Sequence, residues 1–332
     1  MNIRKFGVFA AVLAALAFGA AGTASAQSKH TIKLGFTGSD NPQQPAAIAA
    51  LLFKQTLERQ SRGRVEVQLF PNGQLGDEKP MLEGLRFGTV EAALIANTTI
   101  AQIEPAFMVN DLPFLYATEA QAHKVLDGKV GQLLAKKLEP KGIVSLGFME
   151  MGFRVMINNS RPVNQPADVK GVKYRVMQSP VYIDMFNALG GAAVPMAWGE
   201  VMPAVQQGTI DGLEMPLVSV HAMKLDEMIK YVSVTNHTYG MVALLMSQKA
   251  FNKLPPDVQA MVREAGKSVV GPQRQATGAN VTDAAAILEK RGVKVNMVKD
   301  IASFRPLMKP IYDKYRSQIG ADVLDGALAA VK

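Results

Sequence analysis

The 332-residue chain contains no cysteine, an absence that excludes disulfides, thiolate nucleophiles and Cys-ligated zinc together. Histidine is nearly as scarce. Only His30, His123, His221 and His237 occur, and none stands at a metal-ligand spacing from another or from a carboxylate, as H-E-x-x-H would require. Neither the G-x-S-x-G turn of a serine nucleophile nor the G-x-G-x-x-G turn of a dinucleotide site is present. No catalytic constellation, metal site or cofactor is therefore expected.

Long apolar runs are confined to the N-terminus. Arg4 and Lys5 precede an apolar stretch from Phe6 to Ala21, and Ala24-Ser25-Ala26 precedes Gln27. A basic start, a short apolar run and an A-x-A site make a secretory signal peptide cleaved after Ala26, too short for a stable membrane span. Export without cysteine fits the periplasm of a Gram-negative bacterium. Loss of Arg4 and Lys5 takes the formal charge from +8 to +6. The remaining basic residues are scattered among acidic ones without the clusters that nucleic acid or anionic lipid requires, so the surplus is a solvated surface that helps steer a small anion.

The mature length exceeds what one hydrophobic core usually organises, which predicts two lobes. Thr31–Phe36 and Val65–Leu69 alternate in strand fashion around a helix-forming stretch, Ala46–Gln60, giving a βαβ unit and an α/β fold. Pro71-Asn72-Gly73 is a turn, Met81–Phe87 a helix and Val90–Ala96 a buried strand. Further strands are expected at Ile143–Phe148, Phe153–Ile157, Val172–Met177 and Met241–Met246. Asp257–Lys290 reads as a long helix that Gly271-Pro272 kinks or interrupts, spanning both lobes.

Within these elements stand two cations, Arg154 and Arg175, each inside a short apolar strand where an unpaired guanidinium is costly. Each needs an anion, either a carboxylate of the chain itself or a bound ligand. In Val172–Met177 the two-residue period puts Val172, Tyr174 and Val176 on one face and Arg175 on the other, near the strand end where ligands of open α/β sheets bind. Two arginines on neighbouring strands could hold one carboxylate through paired N–H donors, with Trp198, the only tryptophan, over the ligand's body.

Five segments carry a family resemblance along the whole mature length: Pro71-Asn-Gly-Gln-Leu-Gly-Asp77, Gly152-Phe-Arg154, Asp168-Val-Lys-Gly-Val-Lys-Tyr-Arg-Val176, Val194-Pro-Met-Ala-Trp-Gly-Glu200 and Asp211-Gly-Leu-Glu-Met-Pro216. In this order they resemble the DctP-type substrate-binding proteins of TRAP (tripartite ATP-independent periplasmic) transporters. The resemblance implies a two-lobed periplasmic-binding-protein fold, type II-like, with a cleft between the lobes and a long bridging helix. It assigns residues 27–151 plus 241–280 to lobe I and 152–240 plus 281–332 to lobe II. Arg175 becomes the principal carboxylate ligand and Arg154 a supporting one. Trp198, Met215, Gln178, Thr37, Asn97 and His237 face or border the solute. The implied partners are a small organic carboxylate and the DctQ-type and DctM-type membrane subunits, with a lobe-closing monomer doing no chemistry. An exported enzyme of organic acids and a ligand-dependent sensory protein are the rival readings on the same scaffold.

Two departures bear on the solute. Many family members carry Asp-Gly-x-Glu-Asn-Pro, so Met215 replaces a polar ligand contact with an apolar, adaptable side chain. Ala96 and Thr99 stand where resemblance to sialic-acid binders would require charge, which argues against that solute.

Overall fold

The computed structural model describes residues 29–332; the expected signal peptide and its cleavage site lie outside the described residues. Nine strands form one sheet: β1 (His30–Gly35), β2 (Val65–Phe70), β3 (Ala92–Ala96), β4 (Ile143–Asn158), β5 (Lys173–Val176), β6 (Ala192–Pro195), β7 (Gly212–Pro216), β8 (Tyr231–Ser247) and β9 (Lys294–Met297). Their order is β2-β1-β3-β8-β4-β7-β5-β6, with β9 also paired to β8. The expected βαβ unit is present: β1 and β2 pair in parallel from His30↔Val65 to Gly35↔Phe70 around the helix Pro45–Gln60. Ile32 and Leu34 meet Phe53 and Leu57 of that helix in one core cluster.

The long antiparallel strands β4 and β8 are common to both lobes. The C-terminal half of β8 pairs with β3, from Ala92↔Met246 to Ala96↔Val242. The other half of β4 pairs with β7, from Arg154↔Pro216 to Asn158↔Gly212, and the start of β8 pairs with β9. Lobe I is thus built on β1–β3 and lobe II on β5–β7 and β9. Register shifts interrupt the β4–β8 ladder between Glu150 and Gly152 and again between Arg154 and Met156. Gly152 takes φ +91°, a left-handed value that a side chain would strain, and its partner Gly240 could not carry a Cβ without closing to 3.0 Å on the Gly152 carbonyl. Bulges of this kind bend a strand without ending it. The two strands expected at Ile143–Phe148 and Phe153–Ile157 are for that reason one continuous strand, and Met241–Met246 is the tail of another.

The helical stretch after Asp257 divides into Pro256–Ser268 and Val270–Lys290. Pro272 has no N–H to offer the carbonyl four residues back, that of Ser268, and the first helix stops there. Val270–Lys290 bridges the lobes, packing on Pro45–Gln60 and β4 on one side and on Leu217–Ala222 and β9 on the other. Buried Gln273 fixes it to the bend in β4. Its Nε2 donates to the Glu150 carbonyl at 2.7 Å and its Oε1 accepts from the Glu150 N–H at 2.9 Å. The C-terminal helices depart from the expected partition. Arg305–Ile319 packs on Pro180–Ala188 and on Pro105–Asp111, and Ala321–Ala330 on Glu119–Asp127 and Lys129–Leu138, so the last helix covers lobe I and not lobe II. Short-range periodicity shows that these helices have an apolar side; which lobe supplies the matching surface is a tertiary choice.

Candidate functional site

The C-terminal ends of β1, β3, β5, β6 and β7 converge on one cavity of about 410 Å³. Thr37 and Asn97 reach it just beyond β1 and β3, Arg175 and Gln178 at the end of β5, Met196 and Trp198 beyond β6, and Met215 near the end of β7. This is the position open α/β sheets reserve for ligands, and the volume falls within the range of small-molecule sites.

Arg175 is 4% exposed. Its alternation partners Tyr174 and Val176 lie in the core, as the two-residue period predicts. Nε and Nη2 both donate to the Met196 carbonyl, at 3.2 and 2.8 Å, and Arg175 forms no ion pair among the described residues. Burial pulls its pKa down to about 10 against the pull of Glu214, so it remains a cation at neutral pH. The guanidinium carbon lies 5.7 Å from the centre of the Trp198 ring, within cation–π range.

Arg154 has a different environment. β7 lies between β4 and β5, so the two arginines are on strands two apart and not on neighbours. Arg154 pairs with Glu214 of that intervening strand: its Nε contacts Oε2, and Nη2 donates to Oε1 and to the Glu214 carbonyl, each at 2.9 Å. Burial disfavours both charges, yet each holds its partner ionised, raising the arginine pKa and lowering that of the glutamate. Arg154 borders the cavity with its charge already matched.

His237 is fully buried behind this pair and does not line the cavity. Its Nδ1 is 2.7 Å from the Thr235 hydroxyl, and its Nε2 is 3.6 Å from Glu214, beyond hydrogen-bonding distance. Burial lowers its pKa, which keeps the ring neutral beside the arginine. Asn97 does border the cavity, but its amide is engaged: Nδ2 donates to Asp111 at 2.6 Å and to the Phe107 carbonyl at 2.9 Å, while Oδ1 accepts from Asn110 at 3.1 Å.

Asp77 and Gln44 were not among the residues singled out by sequence. Asp77 caps the helix Glu78–Phe87 through Oδ1, accepting from the Glu78 N–H at 2.7 Å, and its Oδ2 accepts from the Gly199 N–H of lobe II at 3.2 Å. An aspartate directly ahead of a helix-forming stretch is a capping signal, but its reach to Gly199, 122 residues away, leaves no local trace. Gln44 lines the cavity at 2% exposure, with Ser219 of lobe II donating to its Oε1 at 3.4 Å and its Nε2 unpartnered. Gln102 likewise donates to the Gln178 carbonyl at 3.1 Å, and Asn41 to that of Ala222 at 3.1 Å. Hydrogen bonds therefore cross the cleft on several sides of the cavity.

Asp111, also on the cavity wall, is fully buried and accepts from Asn97 and from the Ser179 hydroxyl at 2.9 Å. Burial lifts its pKa from 3.8 to about 7. The native state therefore keeps this proton over a range in which the unfolded chain has released it. The stability this group contributes is full below the unfolded value and is lost as pH rises toward about 7. The displacement corresponds to at most on the order of 4 kcal/mol. Asp111→Asn is expected to abolish this dependence, so that urea unfolding at a series of pH values shows the variant gaining on the parent between 3.8 and about 7. A constant difference over that interval would contradict the assignment.

Comparison with known proteins agrees with this architecture. Residues 36–318 match the DctP family, described as bacterial extracellular solute-binding protein, family 7. The chain is 31% identical over 327 residues to the 2,3-diketo-L-gulonate-binding periplasmic protein YiaO of Escherichia coli, covering 98% of both chains. It is 31% identical to the C4-dicarboxylate-binding periplasmic protein DctP of Rhodobacter capsulatus, covering 87% of this chain and 88% of that one. Among solved structures, the sugar acid binding protein DctPAm of Advenella mimigardefordensis in complex with galactonate superimposes with a TM-score of 0.88 at 32% identity, covering 92% of this chain and 98% of that one. A match over most of the chain, in sequence and in two-lobed fold alike, establishes that the protein belongs to the DctP family of bacterial extracellular solute-binding proteins.

Proposed function

We propose that this protein is the periplasmic solute-binding component of a TRAP transporter, that it captures a small organic acid through Arg175, and that it delivers the acid to DctQ-type and DctM-type membrane subunits. The observation that carries this reading is a buried guanidinium at the wall of the interlobe cavity that forms no ion pair among the described residues. A charge placed there awaits an anion, and a carboxylate matches its fork of N–H donors. Glu214 and Asp77 act on this charge only from beyond ion-pair distance, and burial raises the pKa of Glu78 and Asp111 on the same wall. Arg154, neutralised by Glu214, supports the site by position and not by free charge.

The cycle follows from the two lobes. Solute contacts supplied by both lobes favour the closed form, and the hydrogen bonds that the Gly199 N–H donates to Asp77 and Gln102 donates to the Gln178 carbonyl join the lobes across the cleft. Relatives that bind galactonate and C4-dicarboxylates support an organic acid as the solute.

The test is thermal unfolding of the exported, processed protein with a panel of sugar acids, C4-dicarboxylates, aromatic acids and 2-oxo acids. A true solute at a thousand times its dissociation constant stabilises by about 4.1 kcal/mol. A rise with one class of acid, absent in Arg175→Met, is the expected result. No rise with any acid, together with no acid released on denaturation as judged by mass spectrometry, would overturn the reading.

A further inference from the structure

Six of the chain's 18 methionines, Met151, Met177, Met196, Met215, Met223 and Met241, line this one cavity. They come from both lobes and stand with the half-buried Trp198 around the anchoring guanidinium. Thioether side chains are apolar, polarizable and adaptable, and they make favourable contacts with aromatic rings.

The polar groups of the same wall point the same way, because most are committed to the protein. Asn97 is held by Asp111, Asn110 and the Phe107 carbonyl. Tyr182 shares its hydroxyl with Thr238 at 3.0 Å, and Tyr239 donates its own to Glu150 at 2.9 Å. Thr99 donates to Glu78 at 2.6 Å, and Glu200 accepts from the Ala197 N–H at 3.0 Å. Thr37, Gln178 and Lys79 make no side-chain hydrogen bond among the described residues, but they are half-buried or exposed and keep water as a partner. In the buried part of the wall, donor capacity remains on Arg175, on the Nη1 of Arg154, whose Nε and Nη2 are taken by Glu214, and on the unpartnered Nε2 of Gln44.

From this distribution we infer that the solute is an aromatic monocarboxylate, its carboxylate on Arg175, its ring against the methionines and Trp198, and one further oxygen accepting from Gln44. The inference rests on the reading of Arg175 as carboxylate anchor and deepens it. A polyhydroxylated sugar acid would bring hydroxyls that lose their water against thioether and find few partners, and each buried polar group left unpaired carries its full desolvation penalty. A dicarboxylate would bring a second charge, for which the buried wall holds no second free cation among the described residues.

Isothermal titration of the protein, unfolded and refolded to strip bound solute, against 4-hydroxybenzoate, galactonate and succinate tests the inference. The expected result is binding of 4-hydroxybenzoate at least tenfold tighter than either other acid, weakened severalfold by Gln44→Leu and lost in Arg175→Met. Met215→Asn, which restores an amide to the wall, is expected to narrow the preference. Galactonate or succinate binding as tightly as 4-hydroxybenzoate, and lost in Arg175→Met, would overturn the class assignment while leaving the anchor intact. Binding of any acid that survives Arg175→Met unchanged would overturn the anchor itself, and binding of none of the three would overturn the class.

Discussion

Arg175→Met is expected to weaken binding of the carboxylate solute by about 30-fold to several thousandfold, the equivalent of roughly 2–5 kcal/mol for truncating one partner of a buried charged hydrogen-bonded pair. Calorimetric titration of parent and variant with the same acid reads this directly. The same substitution should leave the solute-free protein at least as stable as before. Arg175 is 4% exposed and has only the Met196 carbonyl to compensate its lost hydration, and burial already depresses its pKa to about 10. A thioether there removes that cost and adds apolar contact. Opposite signs in binding and stability are the mark of a residue placed for a ligand. Lost stability together with lost affinity would mark a structural cation.

Glu214→Gln is expected to do the reverse, costing about 3–5 kcal/mol of folding stability because the Arg154 guanidinium would stay buried with no matching charge. His237 cannot substitute as countercharge, and its neutral ring 3.6 Å away offers no compensation. Adding Arg154→Met to this variant should return most of the loss, since the two residues act as one unit. Urea unfolding of the two single variants and the double variant closes the cycle. Additive losses would show that the pair is not coupled.

Arg175 and Arg154 present equivalent signals in the sequence, each a lone arginine in a short apolar strand. Period-two alternation was enough to set Arg175 apart from the core face of β5, near the strand end that opens on the cavity. What separates the two is Glu214, 60 residues from Arg154 along the chain and adjacent only because β7 inserts between β4 and β5. Strand order is a tertiary outcome that local periodicity does not encode. The same limit explains why His237 is behind the site and not in it, why Asp77 reaches Gly199, and why the last helix lies on lobe I.

Elements set by local chemistry were legible. The parallel β1–β2 pair, the helix ending at Phe87 and the interruption ahead of Pro272 all follow from alternation, capping and the missing proline N–H. The gap between the strands expected at Ile143–Phe148 and Phe153–Ile157 is a bulge within one strand, because only the continuous ladder with β8 tells a bend from an end. Met215 was visible as a departure from the family pattern. That five other methionines join it on one wall required the fold.

The account turns on one contact, and a crystal structure of the protein with its bound acid measures it. A carboxylate within hydrogen-bonding distance of the Arg175 guanidinium, between the lobes and beside Trp198, is the predicted result. A solute seated with its carboxylate elsewhere, or a neutral solute that leaves Arg175 bonded only to the Met196 carbonyl, would contradict it.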